Sequence, residues 1–108
     1  MTVLVTGASG LLGAALVRSF AADAGVEVLA AVRSPARAEA MFEALSNVRI
    51  VQWDVMRPAE LDGYGVDYIV QAAAETGSRA FVERPVEVIR TTVDGVVNVL
   101  DLARARKV

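Results

Sequence analysis

The fold is decided by residues 3–13, VLVTGASGLLG. Residues 3–5 form a short apolar, mainly β-branched run, which predicts a buried strand. Gly7, Gly10 and Gly13 follow at Gly-x-x-Gly-x-x-Gly spacing and lead into a run with apolar residues at helical intervals. We therefore predict a strand, a glycine-rich turn and a helix in direct succession.

This arrangement is typical of a turn that holds a diphosphate. An early glycine such as Gly7 allows the tight turn, Gly10 lets the backbone approach the ligand, and Gly13 lets the helix pack closely on the strand. The helix N-terminus adds free N–H groups and a partial positive charge. A phosphate-binding P-loop is excluded because no Gly-Lys-Ser/Thr follows. The alternative to a diphosphate-binding turn is an ordinary strand-to-helix turn that contains three glycines.

The rest of the chain alternates predicted helices and strands. We predict helices over residues 11–24, from Pro35 onward and over residues 85–104, and strands over residues 26–32, 48–53 and 67–73. Gly25 is predicted to end the first helix and Ser34 to cap the second. We expect a turn region anchored by Leu61 over residues 58–65, and a loop over residues 76–84.

Each predicted helix has an apolar face that we expect to cover a sheet. In the first helix the face comprises Leu12, Ala15, Leu16 and Phe20, and in the second Ala38, Met41, Phe42 and Leu45. In the last helix it comprises Val86, Ile89, Val93, Val96, Val97 and Leu100.

Strands alternating with helices predict an α/β, Rossmann-type fold in three αβα layers around a parallel sheet. Right-handed crossovers give the strand order 3-2-1-4. The order reverses between strands 1 and 4, and ligands of such sheets bind at this switch point, outside the carboxyl ends of the strands.

Residues at the ends of the later strands indicate which dinucleotide would bind. Arg33 lies 20 residues past Gly13, and Arg37 follows one helical turn later. At this distance from the glycines, an acidic residue would bind the ribose 2′-hydroxyl of NAD, whereas an arginine would bind the 2′-phosphate of NADP. We therefore favour NADP over NAD, although both arginines could simply be solvated. Asp54 could accept a hydrogen bond from adenine or cap a turn. The small residues Ala72, Ala73 and Ala74 could line a cofactor or pack in the core.

Composition narrows the function classes. Hydrophobic residues make up 55% of the 108 residues, which excludes disorder, and 11 basic against 13 acidic residues give no basic excess for nucleic acid. The chain has no Cys and no His, so we expect no disulfide, Ser–His–Asp triad or metal site. No apolar run reaches the ~20 residues of a membrane span. We expect a cytoplasmic protein that does not contact membranes.

The sequence resembles the extended short-chain dehydrogenase/reductases, the NAD-dependent epimerase/dehydratase family. The matching segments are residues 5–13, 54–55, 72–76, Pro85 and 92–100. The resemblance implies a bound NAD(P) and hydride chemistry on nucleotide sugars or on small ketones and alcohols. It places Gly7, Gly10, Leu12 and Gly13 at the diphosphate with Leu11 close by, Asp54 and Val55 at the adenine, and Ala72 to Ala74 along the nicotinamide-side ribose. Ser9, in the same turn, is a further predicted cofactor-binding residue.

The chain also departs from that family. Thr92 stands where the family usually has Asn, and Val96 where it often has Thr. Family catalysis needs Tyr-x-x-x-Lys, but four residues beyond Tyr64 and Tyr68 stand Tyr68 and Ala72. We therefore name no catalytic residue and expect this polypeptide alone to be inactive. We expect residues 1–108 to be one domain, the N-terminal portion of a longer enzyme that stops before a fifth strand.

Three functions remain open from the sequence. The first is the NAD(P)-binding portion of an oxidoreductase, epimerase or dehydratase with a small-molecule substrate. The second is a non-catalytic NADP-binding or sensing module, and the third is an interaction domain without a nucleotide. We also expect a homo-oligomer, formed through the edge of the fourth strand or through the last helix.

Overall fold

A computed structural model describes residues 1–74 and 78–108. The strands are β1 (Thr2–Thr6), β2 (Glu27–Val32), β3 (Val48–Gln52) and β4 (Tyr68–Gln71). The helices are α1 (Leu11–Ala21), α2 (Pro35–Phe42), α3 (Ser78–Glu83) and α4 (Pro85–Arg106).

The four strands form one parallel sheet in the order β3-β2-β1-β4, which confirms the predicted order. Val3 of β1 is in register with Val28 on one side and with Tyr68 on the other. The chain therefore adds β2 and then β3 on one side of β1 within the sheet, and later returns to add β4 on the other side. The divergence of these connections opens the space between the carboxyl ends of β1 and β4.

Alternate residues of the strands serve two separate cores, one on each face of the sheet. On the first face, Val3 and Val5 pack with residues of α1 and α2, among them Val17 and Phe42. On the second face, Leu4 packs in a cluster that contains the α4 residues Val99 and Leu102, together with Leu29, Ala31, Val51, Trp53, Val55 and Leu61. Helices therefore cover both faces, as in a Rossmann-type α/β fold. Leu61 is buried in the predicted turn region.

Helix α1 differs from its prediction in both its end and its inward face. It ends at Ala21 with Ala22 at the C-cap, so Gly25 is not the C-cap. Its buried residues are Gly13, Ala14, Val17 and Ala21, whereas Leu12 and Ala15 are exposed. Small side chains face the sheet because the glycine turn brings the start of α1 close to β1. The larger Leu16 and Phe20 only border the core.

Helix α2 is closer to its prediction. Ser34 occupies the N-cap position and Pro35 the first turn, although the Ser34 side chain makes no capping hydrogen bond. Ala38 and Phe42 are buried, and Met41 and Leu45 pack against them.

The loop predicted over residues 76–84 is wrong in part, because Ser78–Glu83 forms α3. An i, i+4 pair supports this short helix, with Arg79 Nε lying 2.9 Å from Glu83 Oε1. Thr76 lies outside the described residues, as does Glu75, which belongs to the segment 72–76 quoted for the family resemblance.

Helix α4 turns a different face to the sheet than the one predicted. Its buried residues are Val88, Gly95, Val99 and Leu102. The six predicted inward residues are exposed, from 38% at Val96 to 62% at Ile89. We call this set (Val86, Ile89, Val93, Val96, Val97 and Leu100) the outer apolar face of α4. The helix therefore carries two apolar stripes. The stripe that includes Gly95 faces the sheet, because the missing side chain of Gly95 lets the helix lie close to Val55.

Helix α4 ends at Arg106, and Lys107 follows in the left-handed conformation with φ 57°. The N–H of Val108 bonds to the carbonyl of Ala103 at 2.9 Å. Lys107 and Val108 are therefore a helix cap and not part of a strand. Within residues 1–74 and 78–108, no helix combines the length and the apolar character that crossing a membrane requires.

Leu4 of β1 is fully buried, whereas Leu12 of α1 is 64% exposed. We expect Leu4→Ala to lower the free energy of unfolding by about 2–5 kcal/mol, because it leaves a cavity in the core on the α4 side. Leu12→Ala makes the same chemical change outside the core and should alter it by less than about 0.5 kcal/mol. Urea denaturation measures both, and equal effects would contradict the described packing.

Candidate functional site

A cleft of about 430 Å³ lies at the carboxyl ends of the strands. Its volume is in the range of roughly 300–1,000 Å³ that is usual for small-molecule and cofactor sites. Its walls come from four places in the chain: the glycine turn after β1, the end of β2, the turn after β3 and the segment after β4. The first turns of α4 close the remaining side through Arg84, Glu87, Val88 and Thr91.

The glycine turn is too tight for side chains at two of its positions. Gly7 has φ +61°, and a Cβ there would lie 2.6 Å from the Cα of Ala73. A Cβ at Gly13 would lie 2.0 Å from the carbonyl oxygen of Gly7. The N–H of Gly10 closes the turn on that same oxygen at 3.0 Å. The missing side chains therefore let β1, α1 and the segment after β4 meet at the floor of the cleft.

Helix α1 begins beside this floor. Gly10 is its N-cap residue, no side chain caps the helix, and its first turn contains no acidic residue. The first N–H groups of a helix have no partner within it, so the start of α1 offers donors and a partial positive charge for an anion. Leu11 and Leu12 are exposed there, at 96% and 64%.

The Thr6 side chain joins β1 to the segment after β4. Its hydroxyl donates to the side-chain oxygen of Gln71 and accepts from the N–H groups of Ala72 at 3.1 Å and Ala73 at 3.3 Å. The side-chain nitrogen of Gln71 donates to the carbonyl of Ala73 at 3.2 Å. Thr6 is completely buried, so these bonds satisfy its hydroxyl. They hold Ala72 and Ala73 against the glycine turn.

Positive side chains stand at the β2 end of the cleft. Arg33 and Arg37 both line it and both are exposed, so their guanidinium groups are accessible to a ligand. Arg84 adds a third cation from the start of α4, against the carboxylates of Asp54 and Glu87. Among the described residues that line the cleft, these three cations outnumber the two anions, which favours a phosphate-bearing ligand.

Asp54 lies in the turn after β3 and both lines the cleft and stabilises that turn. Its Oδ1 accepts a hydrogen bond from the N–H of Met56 at 3.0 Å. The N–H of Arg57 bonds to the Asp54 carbonyl at 2.9 Å. A carboxylate has two oxygens, so this capping role leaves acceptor capacity for a ligand. The two interpretations of Asp54 from the sequence are therefore compatible.

The structure brings most of the predicted site residues to one cleft. The residues that line it are Gly7, Ser9, Gly10, Arg33, Arg37, Asp54, Val55, Ala72, Ala73 and Ala74. The three that do not line it are Leu11, Leu12 and Gly13. Ala73 also borders the core on the α4 side, so it is both a packing and a lining residue.

Thr6, Gln71 and the start of α4 contribute to the site without having been predicted from the sequence. A polar residue at the end of each of two adjacent parallel strands is a signal that would have linked Thr6 with Gln71. For α4, no spacing rule connects a helix start with a cleft formed by distant turns. Thr92, at the position where the family usually has Asn, donates to the carbonyl of Val88 at 2.9 Å within its own helix.

The glycine turn, the switch-point cleft and its cations define a dinucleotide-binding protein of the Rossmann class. Residues 3–108 match the model of the NAD dependent epimerase/dehydratase family, and the chain belongs to that family. This membership supports the binding of a nicotinamide cofactor. A relative of known activity, a dTDP-4-dehydro-6-deoxy-D-allose reductase from Streptomyces sp, is 33% identical over 95% of this chain. The chain spans about a third of that reductase, 34% of its length.

Solved structures show the same fold. A Bacillus thuringiensis protein called Pen matches 99% of this chain with TM-score 0.83 at 22% identity, over 35% of its own length. A serine dehydrogenase in complex with NADP+ matches 98% with TM-score 0.73 at 28% identity, over 47% of its length. A Bacillus cereus UDP-glucuronic acid 4-epimerase in complex with NAD matches 82% with TM-score 0.66 at 19% identity, over 31% of its length.

The glycine turn provides a stability prediction. We expect Gly13→Ala to lower the free energy of unfolding by about 1–3 kcal/mol, because the Gly7 backbone must move away from the new Cβ. The control is Gly65→Ala, since Gly65 has no atom within 4 Å of the added Cβ and no positive φ. Thermal unfolding compares the two. If Gly13→Ala were no more destabilising than Gly65→Ala, the close approach of α1 to Gly7 would be wrong.

Proposed function

We propose that this chain forms the dinucleotide-binding portion of an NADP-dependent reductase or epimerase. The observation that carries the proposal is the convergence of the uncapped α1 N-terminus, the glycine turn and the arginines on one cleft. The glycine turn and the α1 N-terminus suit the diphosphate of the ligand, and the arginines suit a further phosphate. Family membership supports the nicotinamide cofactor, and the choice of NADP rests on the arginines alone.

The backbone of residues 7–13 would hold the diphosphate. The missing side chains of Gly7 and Gly13 let α1 begin directly against the Gly7 backbone, which places the start of α1 at the floor of the cleft. The exposed N-terminus of α1 would donate hydrogen bonds to the phosphate oxygens. No lysine is needed for this role, and residues 1–74 of the chain contain none.

The adenosine end of the cofactor would lie between the ends of β2 and β3. Arg33 and Arg37 would form charge-assisted hydrogen bonds with the 2′-phosphate of NADP. Asp54 would accept a hydrogen bond from the adenine amino group, with Val55 packing beside the base. In this placement the two arginines bind the phosphate of the adenosine, and Asp54 binds its base.

The nicotinamide-side ribose would lie along Ala72, Ala73 and Ala74, whose small side chains leave room for it. When bound, the cofactor supplies the hydride acceptor or donor for the reaction. The residues of this chain bind and orient the cofactor. Residues 1–108 contain no Tyr-x-x-x-Lys pair, which serves the family as acid and base. In this proposal that pair belongs to the full-length enzyme.

We further propose a nucleotide sugar that carries a ketone or alcohol as the substrate class. The similarity to a dTDP-4-dehydro-6-deoxy-D-allose reductase supports this class. A small ketone or alcohol is the second possibility within the same chemistry. The cytoplasmic location expected from the sequence stays a prediction.

A non-catalytic NADP-binding or sensing module is the second candidate function. The lack of a Tyr-x-x-x-Lys pair within residues 1–108 fits this module and fits the N-terminal portion of an enzyme equally. The coding sequence beyond residue 108 distinguishes the candidates. A Tyr-x-x-x-Lys pair downstream supports the enzyme, and its absence supports the sensing module.

Isothermal titration calorimetry tests the shared part of both functions. We expect saturable one-to-one binding of NADP+ and weaker binding of NAD+, since only NADP+ carries the 2′-phosphate. Folding of the chain is checked by circular dichroism. Folded protein that binds neither dinucleotide would contradict the proposal and leave an interaction domain without a nucleotide.

The choice of cofactor is tested by Arg33→Asp. Because the change replaces a charge-assisted hydrogen bond by repulsion, we expect NADP+ affinity to fall by roughly 10- to 100-fold. NAD+ affinity should stay the same or rise. Arg90→Asp makes the same charge change on α4 outside the cleft and serves as the control. An unchanged ratio of the two affinities in Arg33→Asp would remove Arg33 from this role.

We also propose that two copies of the chain associate through the outer apolar face of α4. Val86, Ile89, Val93, Val96 and Leu100 alternate at intervals of three and four residues, a pattern typical of helices that pack on another helix. Exposed apolar patches of this kind mark interaction sites. The edge strand β4, with Tyr68 58% exposed, is the other route expected from the sequence.

Light scattering at increasing protein concentration tests the association. We expect the mass to rise toward a dimer for the unchanged chain and to stay monomeric for Val93→Lys. Asp94→Lys places the same residue one position along the helix, outside the outer apolar face, and should leave the association intact. A monomer at every concentration contradicts both routes, and a dimer that persists in Val93→Lys favours the β4 edge.

A further inference from the structure

Helix α4 contacts the turn after β3 at two positions that are almost one helical turn apart. The side-chain Nδ2 of Asn98 donates a 2.7 Å hydrogen bond to the carbonyl oxygen of Val55. A Cβ at Gly95 would lie 3.0 Å from Cγ2 of Val55. Val55 is therefore held by a hydrogen bond and by close packing from the same helix. Val55 is buried and also lines the cleft.

The other hydrogen bonds of this turn lie at its start or within it. The N–H of Trp53 bonds to the Val32 carbonyl at 2.9 Å, which attaches the start of the turn to β2. The indole N–H of Trp53 bonds to the Arg57 carbonyl at 3.0 Å, within the turn. Asn98 attaches the middle of the turn, directly after Asp54, to α4. The bond from Asn98 therefore adds an anchor from α4 next to Asp54, beside the bonds that Asp54 makes within the turn.

We propose that Asn98 is a positioning residue for base recognition, which acts through the Val55 carbonyl. By fixing Val55, it holds the Asp54 carboxylate where that group accepts a hydrogen bond from the exocyclic amino group of adenine. The inference rests on the proposed function, because it requires a bound dinucleotide. It adds to that function a selectivity between purines, set by a helix that does not itself contact the base.

The chemistry of the two purines makes this selectivity measurable. Adenine presents an amino donor at its six position, whereas hypoxanthine presents an oxygen acceptor there. A carboxylate bonds to the donor and repels the oxygen, so a fixed Asp54 separates the two bases. If Asp54 moves freely with its turn, the carboxylate can withdraw from the oxygen, and the difference in affinity between the two bases decreases.

The experiment measures affinities for NADP+ and for its hypoxanthine analogue by calorimetry. For the unchanged chain we expect NADP+ to bind about tenfold more tightly, the size expected for one hydrogen bond to a charged group. Asn98→Leu keeps the branched arrangement of four side-chain heavy atoms but has no donor, and we expect the ratio to fall below about threefold. Asn98→Gln keeps the amide donor and should retain most of the ratio.

Asn47→Ala is the matched control. The side-chain nitrogen of Asn47 donates to the carbonyls of Ala21, Asp23 and Val26, at 3.0, 3.2 and 2.9 Å. These bonds lie at the amino end of β2, at the opposite edge of the sheet from the cleft. We expect Asn47→Ala to lower stability but to leave the ratio of the affinities for NADP+ and its hypoxanthine analogue, the base ratio, unchanged. The control thus separates a loss of stability from a loss of base selectivity.

Gly95→Ala provides a second change of the same turn. Alanine is the best helix former, so this variant should fold, while its Cβ presses on Val55. We expect it to lower the base ratio as well.

An unchanged ratio in folded Asn98→Leu overturns the inference. If Asn98→Leu does not fold, an unchanged ratio in Gly95→Ala overturns it. Equal affinities of the unchanged chain for both purines also overturn it but leave the proposed function standing. Binding of neither dinucleotide contradicts the proposed function itself, and the inference falls with it.

Discussion

The close approach of three backbone segments around Gly7 is the constraint on which the rest of the structure depends. Gly7 touches Ala73 on one side, and its carbonyl oxygen occupies the space that a side chain at Gly13 would need. The buried Thr6 hydroxyl then binds the N–H groups of Ala72 and Ala73. Because these contacts join β1, α1 and the segment after β4, they fix the floor of the cleft.

Much of the fold could be predicted from the sequence because its signals are local. The alternation of apolar strands with helices led to the 3-2-1-4 order, and the glycine spacing placed the turn at the start of α1. Family membership is likewise carried by short segments, such as residues 5–13. The predicted site residues after β2, β3 and β4 converge because the carboxyl ends of parallel strands share one edge.

The two wrongly predicted helix faces, those of α1 and α4, have a common physical cause in packing distance. Hydrophobic periodicity assigned the larger side chains of α1 and α4 to the core, yet Gly13 and Gly95 bring small residues to the sheet instead. The C-cap at Gly25 failed for a different reason, since Ala22 ends α1 in the right-handed conformation without a glycine. The i, i+4 pair of Arg79 and Glu83 is a local signal for α3 that the predicted loop overlooked. No local pattern indicates the hydrogen bond from Asn98 to Val55, because it depends on how distant segments meet.

Trp53 gives the molecule an optical property that follows from its position. It is the single tryptophan of the chain, it is 5% exposed, and it lines the cleft beside Asp54. Its indole is held by the bond to the Arg57 carbonyl. Any molecule that enters this side of the cleft changes the polarity around a fixed fluorophore, and a reduced nicotinamide would absorb part of its emission. The chain thus contains an intrinsic reporter of occupancy, without a label or an added residue.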